Sequence, residues 1–140
     1  MDQSIIDFIN SNRVAAICFV KENAEPHCIS CFYVFDPEKK TLILKSTVGT
    51  AHDGFTLKKN TVAGTITPEQ FDSLKIQGIQ FKGEVMDSSE LNSFELSKNY
   101  YLKYPFAMVM PGYLWAIKLH SLKFTDNTKG FGTKLNWERD

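Results

Sequence analysis

The sequence has no excess of either charge, because 16 Lys and Arg residues balance 16 Asp and Glu residues. Zero net charge gives no support for a broad nucleic-acid or acidic-membrane surface, so any anion site must be local. No apolar run approaches the length of a membrane span, and the opening MDQSIIDFIN lacks the basic start and apolar centre of a signal peptide. We therefore expect a cytoplasmic protein with neither a nucleic-acid nor a membrane partner.

Cysteine is also scarce. Three cysteines, an odd number without an export signal, favour reduced thiols over a disulfide framework. Cys28 and Cys31 form a Cys-x-x-Cys spacing, but residues three apart in a strand point to opposite faces. Redox pairs usually begin a helix and zinc needs converging ligands, so we expect two buried apolar thiols and no metal site.

The chain is rich in aromatic residues and in runs typical of β-strands. Its 140 residues suit a single domain spanning 1–140, and eleven phenylalanines suit a packed barrel interior or an apolar site for a planar ligand. Strands are predicted at 13–21, 26–35, 41–46, 61–67, 74–86, 113–124 and 131–137. The change of parity within 113–124 predicts a bulge near His120 or Ser121, and the last strand would turn Phe131, Leu135 and Trp137 to one side.

Three helices complete the prediction. Ile5, Phe8 and Ile9 recur with helical spacing at the start of the chain. A capping pattern at 87–90 predicts a later helix with a stripe of Leu91, Phe94, Tyr101 and Leu102. Because six or seven strands join mostly through short turns, we predict a mainly β (α+β) fold, an antiparallel barrel with flanking helices.

The remaining helix follows the hairpin formed by 26–35 and 41–46. Thr50 and Asp53 match a Thr-x-x-Asp capping box, so a helix is predicted from Thr50 to Asn60. Its first turn would offer unpaired N–H groups beside Ser46, Thr47 and His52. This arrangement is compatible with a phosphate site, but this stretch by itself favours a simple well-capped helix.

Several collinear segments resemble one known family. They are Phe32 to Asp36 in the hairpin, Lys45-Ser46-Thr47 followed by Thr50-Ala51-His52, Val62 to Thr65, Gly78 to Glu84, and the ending from Lys123 to Gly132 with Trp137. In order and spacing, over nearly the whole chain, these resemble the FMN-binding split-barrel family related to pyridoxamine 5'-phosphate oxidase. The ending is most similar to a branch of small, functionally uncharacterised bacterial proteins within it.

The resemblance implies a six-stranded split β-barrel that forms a homodimer with FMN at the subunit interface. Apolar groups on both faces of 13–21 and 26–35 exceed what one interior needs, which independently favours such an interface. By position, the resemblance implies that the flavin ring lies beside Ser30, Cys31, Phe32 and Tyr33, the ribityl chain beside Lys45, Ser46 and Thr47, and the phosphate at Thr50 and His52. Gln80, Lys82 and Trp137 would complete the cofactor site.

The chain also departs from the family's pattern. Ala51 and His52 stand where members commonly place Arg or Lys, so we expect weak FMN binding. The basic and aromatic residues that hold pyridoxamine phosphate are not recognisable at 134–140, so vitamin B6 chemistry is not expected. Two functions stay open: an FMN-dependent oxidoreductase on a small-molecule substrate, with no assigned catalytic residue, or a non-catalytic protein that binds, stores or senses flavin or haem.

Overall fold

A computed structural model describes residues 1–21, 24–46 and 61–140. Its helices are α1 (Gln3–Ser11) and α2 (Ser93–Lys103), with single 3-10 turns at Ser88–Glu90, Pro105–Val109 and Asn127–Lys129. Its strands are β1 (Val14–Val20), β2 (Pro26–Asp36), β3 (Thr41–Ser46), β4 (Thr61–Ile66), β5 (Gln77–Val85), β6 (Tyr113–Asp126) and β7 (Lys134–Glu138).

The sheet closes on itself as a six-stranded antiparallel barrel, as predicted. Its strands run in the order β3-β2-β1-β4-β5-β6, and the pairing of β3 with β6 closes the ring. The long strand β6 pairs with β3 through its first half and with β7 through its second half, so β7 is an added outer strand. Closure removes the free edges that six strands would otherwise leave.

A bulge allows β6 to pair with three neighbouring strands. Lys82 lies opposite Ser121 and Gly83 opposite Leu119, so His120 is the extra residue without a partner in the β5 ladder. Its carbonyl accepts a hydrogen bond from the backbone N–H of Arg139 at 2.8 Å. The predicted bulge near His120 or Ser121 is therefore confirmed, and it accounts for the change of parity along β6.

Alternating side chains fill the barrel, and α1 covers one end of it. Ile5, Phe8 and Ile9 of α1 are buried as predicted, and the ring of Phe8 lies 4.8 Å from that of Phe124 in β6. The helix is capped by Asp2, whose carboxylate accepts the backbone N–H of Ser4 at 2.9 Å. The amphipathic pattern of these nine residues thus places the first helix directly on the core.

The second helix differs from the sequence prediction. The capping pattern at 87–90 produces only a 3-10 turn, and α2 begins at Ser93 because Asn92 accepts the backbone N–H of Glu95 at 3.1 Å. The predicted stripe is wrong, since Phe94 and Leu102 are exposed. Tyr100 and Tyr104 instead form the buried contact of this region with the outside of the barrel.

The last strand is shorter than predicted. It begins at Lys134, and Phe131 lies in the preceding turn with 99% of its surface exposed, so its predicted place beside Leu135 and Trp137 is wrong. Gly130 and Gly132 have φ values of 123° and 76°, a backbone that favours a turn over a strand.

The two cysteines of the Cys-x-x-Cys spacing lie on opposite faces of β2, as expected. Cys31 is half-buried and packs against the core, but Cys28 is exposed, so the prediction of two buried thiols is wrong for Cys28. The predicted helix from Thr50 to Asn60 lies outside the described residues. Within the described ranges, the helices are too short and too polar to cross a membrane.

Candidate functional site

A concave surface bordered by several polar side chains lies on the outer face of β4, β5, β6 and β7. Cross-strand register places Gln80 opposite Lys123, Lys82 opposite Ser121, and Lys123 opposite Asn136. These side chains border a groove of about 550 Å³ whose floor is made by the small residues at 63–65. We call this surface, defined by Gln80, Lys82, Ser121 and Lys123, the lysine groove.

The chemistry of the lysine groove suits an anionic or strongly polar ligand. Lys82 and Lys123 are diagonal neighbours on one face, a relationship that places such residues about 7–8 Å apart. Both ammonium groups can donate three hydrogen bonds, and the Gln80 amide adds donors and an acceptor. The groove therefore combines two positive charges with directional hydrogen bonding, whereas the carboxylate of Glu138 at its border opposes an anion there.

Trp137 also borders the groove, but its indole lies on the other side of the sheet. It pairs with Leu122 and packs, half-buried, against the barrel core. The guanidinium of Arg139 lies 5.7 Å from the centre of its ring system. Of the three predicted residues at this edge, Gln80 and Lys82 thus expose their side chains in the groove, and Trp137 supports it from behind.

The four predicted residues of β2 divide between its two faces. Ser30 and Phe32 are exposed on the outer face, whereas Cys31 and Tyr33 point towards the core. Burial raises the pKa of the Cys31 thiol to about 11. Burial likewise raises the pKa of Tyr33 far above its usual range, and its hydroxyl donates to the Ile9 carbonyl at 2.6 Å. Only Ser30 and Phe32 can offer side chains to a ligand outside the barrel.

Lys45, at the end of β3, is held by backbone carbonyl groups. Its ammonium donates to the carbonyl oxygens of Ala107 at 2.6 Å and Met110 at 2.8 Å. The same nitrogen lies 5.0 Å from the ring centre of Tyr101. Because an ammonium group has three N–H bonds, one donor beyond these two carbonyl contacts is left for a ligand.

Beside Lys45 lies a group of aromatic rings, of which the sequence predicts only Phe32 as a site residue. The ring of Phe32 is 5.3 Å from that of Tyr104 and 5.9 Å from that of Phe106. Tyr100 is 5.1 Å from Tyr104, and the hydroxyl of Tyr104 donates to the Tyr33 carbonyl at 2.5 Å. We call Phe32, Tyr100, Tyr104 and Phe106 the aromatic cluster. The four-residue spacing of Tyr100 and Tyr104 is the signal that could have revealed their shared helix face.

The lysine groove and the outer residues of β2 belong to one continuous sheet surface. Ser30 lies opposite Ala16, Ala16 opposite Thr65, and Thr65 opposite Gln80. Three strand spacings separate Ser30 from Gln80, which corresponds to about 14 Å. The structure therefore places two groups of predicted residues on one outer face. Ser30 and Phe32 form one group, and Gln80 and Lys82 form the other.

The other predicted site residues are described only in part or not at all. Ser46 pairs with Tyr113 through its backbone at the end of β3. Thr47, Thr50 and His52, predicted to hold the ribityl chain and phosphate, lie outside the described residues.

Comparison with known proteins identifies the family. No family model matches the sequence. A UPF0306 protein of Klebsiella pneumoniae subsp. pneumoniae is 35% identical over 133 residues, which cover 95% of this chain and 90% of that protein. This identity over nearly the full length of both chains confirms the predicted place in a branch of bacterial proteins.

Solved structures share the fold at low sequence identity. A protein of the pyridoxinephosphate oxidase family from Clostridium acetobutylicum, related to general stress protein 26 of B. subtilis, superposes with a TM-score of 0.65 at 13% identity. The match covers 97% of this chain and 92% of that one. A heme binding protein from Mycobacterium smegmatis gives a TM-score of 0.69 at 13% identity. That match covers 94% of this chain and 55% of the other, so this chain spans about half its length.

These likenesses confirm the split-barrel fold predicted from the sequence, and the relative at 35% identity settles the family. The chain is a member of the UPF0306 protein family, built on the split barrel of the pyridoxinephosphate oxidase family.

Proposed function

We propose that two copies of this chain bind FMN between them and act as an FMN-dependent oxidoreductase on a small molecule. The observation that carries the proposal is the lysine groove on the outer face of a split barrel. Its volume of about 550 Å³ lies within the range of small-molecule sites, about 300–1,000 Å³. Its donors, Lys82, Lys123 and Gln80, match the many acceptor atoms of a flavin nucleotide.

The residues of β2 and β3 would hold the other parts of the cofactor. Ser30 and Phe32 are exposed and can contact a planar ring, while Cys31 and Tyr33 would contribute through their backbone. The remaining donor of Lys45 would meet the ribityl chain together with Ser46 and Thr47. Thr50 and His52 are the proposed phosphate ligands, and this assignment is based on the family resemblance.

A homodimer accounts for apolar surface that one barrel leaves uncovered. On the outer face of β1, Val14 is 40% and Val20 is 55% exposed, and Phe32 on neighbouring β2 is 41% exposed. Val14 and Phe32 lie directly opposite each other, and exposed apolar neighbours of this kind favour an interface between protein chains. A partner barrel on this face would bring its own lysine groove towards Ser30 and Phe32, so that one cofactor would contact both chains.

The protein's part in such a reaction is binding, orientation and exclusion of water. Bound FMN supplies hydride chemistry at its flavin ring, which is why no catalytic acid or base need stand in the sequence. Lys82 and Lys123 would offset negative charge near the cofactor, and Gln80 would fix its orientation through the amide. The aromatic cluster would limit water at the Lys45 end of the site.

Flavin fluorescence gives the test. Adding FMN to the purified protein should quench flavin fluorescence with saturation, and NADH or NADPH should bleach the bound flavin's absorption. Lys82→Ala and Lys123→Ala should each weaken binding by about tenfold, the loss expected for one hydrogen bond to a charged group. Lys98→Ala on the exposed face of α2 is the matched control and should leave the affinity unchanged. Failure of FMN to bind, or equal effects of all three variants, would contradict the proposal.

The second candidate is a non-catalytic haem-binding protein on the same barrel. It is favoured by the exposed rings of Phe32 and Phe106 in the aromatic cluster, which suit a planar apolar ligand. Haem titration should then give a shifted Soret band that Phe32→Ala weakens and His52→Ala abolishes, while His120→Ala at the exposed bulge has no effect. Binding of haem without FMN binding would replace the first candidate by this one.

A further inference from the structure

Cys18 of β1 and Cys28 of β2 lie directly opposite each other on the outer face of the barrel. The backbone N–H of Lys21 donates to the carbonyl of Glu25 at 2.9 Å, which marks that pair as a hydrogen-bonded one. Because the two kinds of pair alternate in an antiparallel ladder, Cys18 and Cys28, three pairs further along, form a non-hydrogen-bonded pair. In such pairs the Cα atoms lie about 4.5 Å apart and the side chains approach closely.

This geometry lies within the range that a disulfide requires. Cα atoms of bridged cysteines are usually about 4.4–6.8 Å apart, with both Cβ atoms on the same side. Cys18 and Cys28 meet both conditions by their register. Cys28 and Cys31 do not, because they point to opposite faces of one strand.

The two thiols also interact in the reduced protein. A hydrogen bond with the Cys28 side chain, together with burial, raises the pKa of the Cys18 thiol. Cys28 is exposed, whereas Cys18 is half-buried. Access therefore favours Cys28 as the thiol that meets a reagent from solution, with Cys18 held beside it.

We propose that Cys18 and Cys28 form a redox-active thiol pair that closes to a disulfide by exchange with a low-molecular-weight disulfide such as glutathione disulfide. The Cys28 thiolate attacks one sulfur of the glutathione disulfide, which forms a mixed disulfide and releases one glutathione thiolate. The Cys18 thiolate then attacks the sulfur of Cys28 and displaces the second glutathione. The protein loses two electrons and two protons, and one glutathione disulfide becomes two glutathione thiols.

The proposal goes beyond flavin binding and concerns the chain before it dimerises, because the partner barrel proposed above would cover the outer face of β1 and β2 on which both thiols lie. Cys18 also lines the lysine groove, so the pair lies at the border of the surface to which we assign a ligand. The reaction nevertheless needs only the two thiols and the external disulfide.

The test is a peptide map of the full chain after incubation with glutathione disulfide and alkylation of the remaining thiols. Cleavage after lysine and arginine separates Cys18, in peptide 14–21, from Cys28 and Cys31, which share peptide 22–39. A Cys18–Cys28 bond therefore joins two peptides, whereas a Cys28–Cys31 bond stays inside one. Cys31→Ser is the matched control, since it removes the inward-facing cysteine from the same strand.

We expect the wild type and Cys31→Ser each to lose the mass of two hydrogen atoms and to yield 14–21 joined to 22–39. Dithiothreitol should restore two thiols in both. Cys18→Ser should stop at the mixed disulfide and retain one glutathione on Cys28. A bond confined to peptide 22–39, a stable glutathione adduct on the wild type, a disulfide between two chains, or no reaction would each overturn the proposal.

Discussion

The hydroxyl of Tyr33 donates a hydrogen bond of 2.6 Å to the backbone carbonyl of Ile9, which ties strand β2 directly to helix α1. Both residues have no exposed surface. The donor and its acceptor are therefore shielded from water, and neither can be satisfied by solvent in the folded chain. A buried polar pair of this kind couples the position of the first helix to that of the barrel.

Tyr33→Phe should destabilise the protein. The substitution removes the hydroxyl donor and leaves the buried Ile9 carbonyl without a hydrogen bond from residue 33. This loss should lower the free energy of unfolding by about 1–3 kcal/mol. Urea denaturation followed by circular dichroism measures the change. Tyr101→Phe removes the same hydroxyl from a half-buried ring on α2 and should cost less than about 0.5 kcal/mol. Equal losses in the two variants would show that the bond to Ile9 contributes nothing specific.

Gly64→Ala should be strongly destabilising. A Cβ at position 64 would overlap the ring of Phe81 and the backbone carbonyl of Ala16, so neighbouring strands would have to move apart. Overpacking of this kind costs about 1–3 kcal/mol or more. Gly78→Ala, in the adjacent strand, meets only the Ile66 carbonyl at 3.7 Å and should be nearly neutral. Thermal unfolding of both variants distinguishes close packing from a general intolerance of β-strands to alanine.

The stability should depend on pH through Glu69. Two hydrogen bonds of 2.8 Å join its carboxylate to the Arg13 guanidinium, and this hydrogen bonding lowers the pKa of Glu69. A lowered folded-state pKa stabilises the protein above the ordinary glutamate pKa of about 4.3, and the contribution disappears as pH falls through the folded value.

Melting temperatures of the wild type and Glu69→Gln should therefore differ at neutral pH and converge in acid. The pair is exposed to solvent, so the difference should be small and should shrink further in high salt. A difference that grows as the pH falls would refute the ion pair as its source.

His52→Lys should tighten FMN binding if the phosphate lies at the predicted position. The substitution replaces an imidazole by an ammonium group, and charge-assisted hydrogen bonds to phosphate are stronger than neutral ones. The dissociation constant from fluorescence titration should fall several-fold at low salt. His120→Lys, at the exposed bulge of β6, adds the same charge elsewhere and serves as the control. An unchanged dissociation constant for His52→Lys would show that the phosphate does not bind at this position.

Local patterns in the sequence predicted those parts of the fold that depend on local physics. The alternation of Ile79, Phe81 and Val85 placed their side chains in the core, and all three are buried. The change of parity in β6 located the bulge at His120 within one residue. These features follow from the two-residue period of a strand, because the alternation of apolar and polar residues along the sequence shows which side chains share a face.

Features that depend on distant pairing could not be predicted in the same way. Lys123 joins Gln80 and Lys82 only because β6 pairs with β5 in one register, and Cys18 meets Cys28 only through the register of β1 with β2. The α2 boundary was missed because two capping patterns compete, and Asn92 supplies the cap. The lysine groove and the thiol pair therefore depend on how distant strands pair in the barrel. The β2–β3 hairpin, in contrast, can be predicted from its own residues.

The central claim, one flavin held between two chains, is tested most directly by sedimentation velocity of protein mixed with FMN and followed at the flavin absorption band. Our account predicts that flavin absorbance sediments with a species of two chains, and that Lys82→Ala reduces the sedimenting fraction. Flavin that stays behind as free nucleotide, or that sediments with single chains, would contradict it.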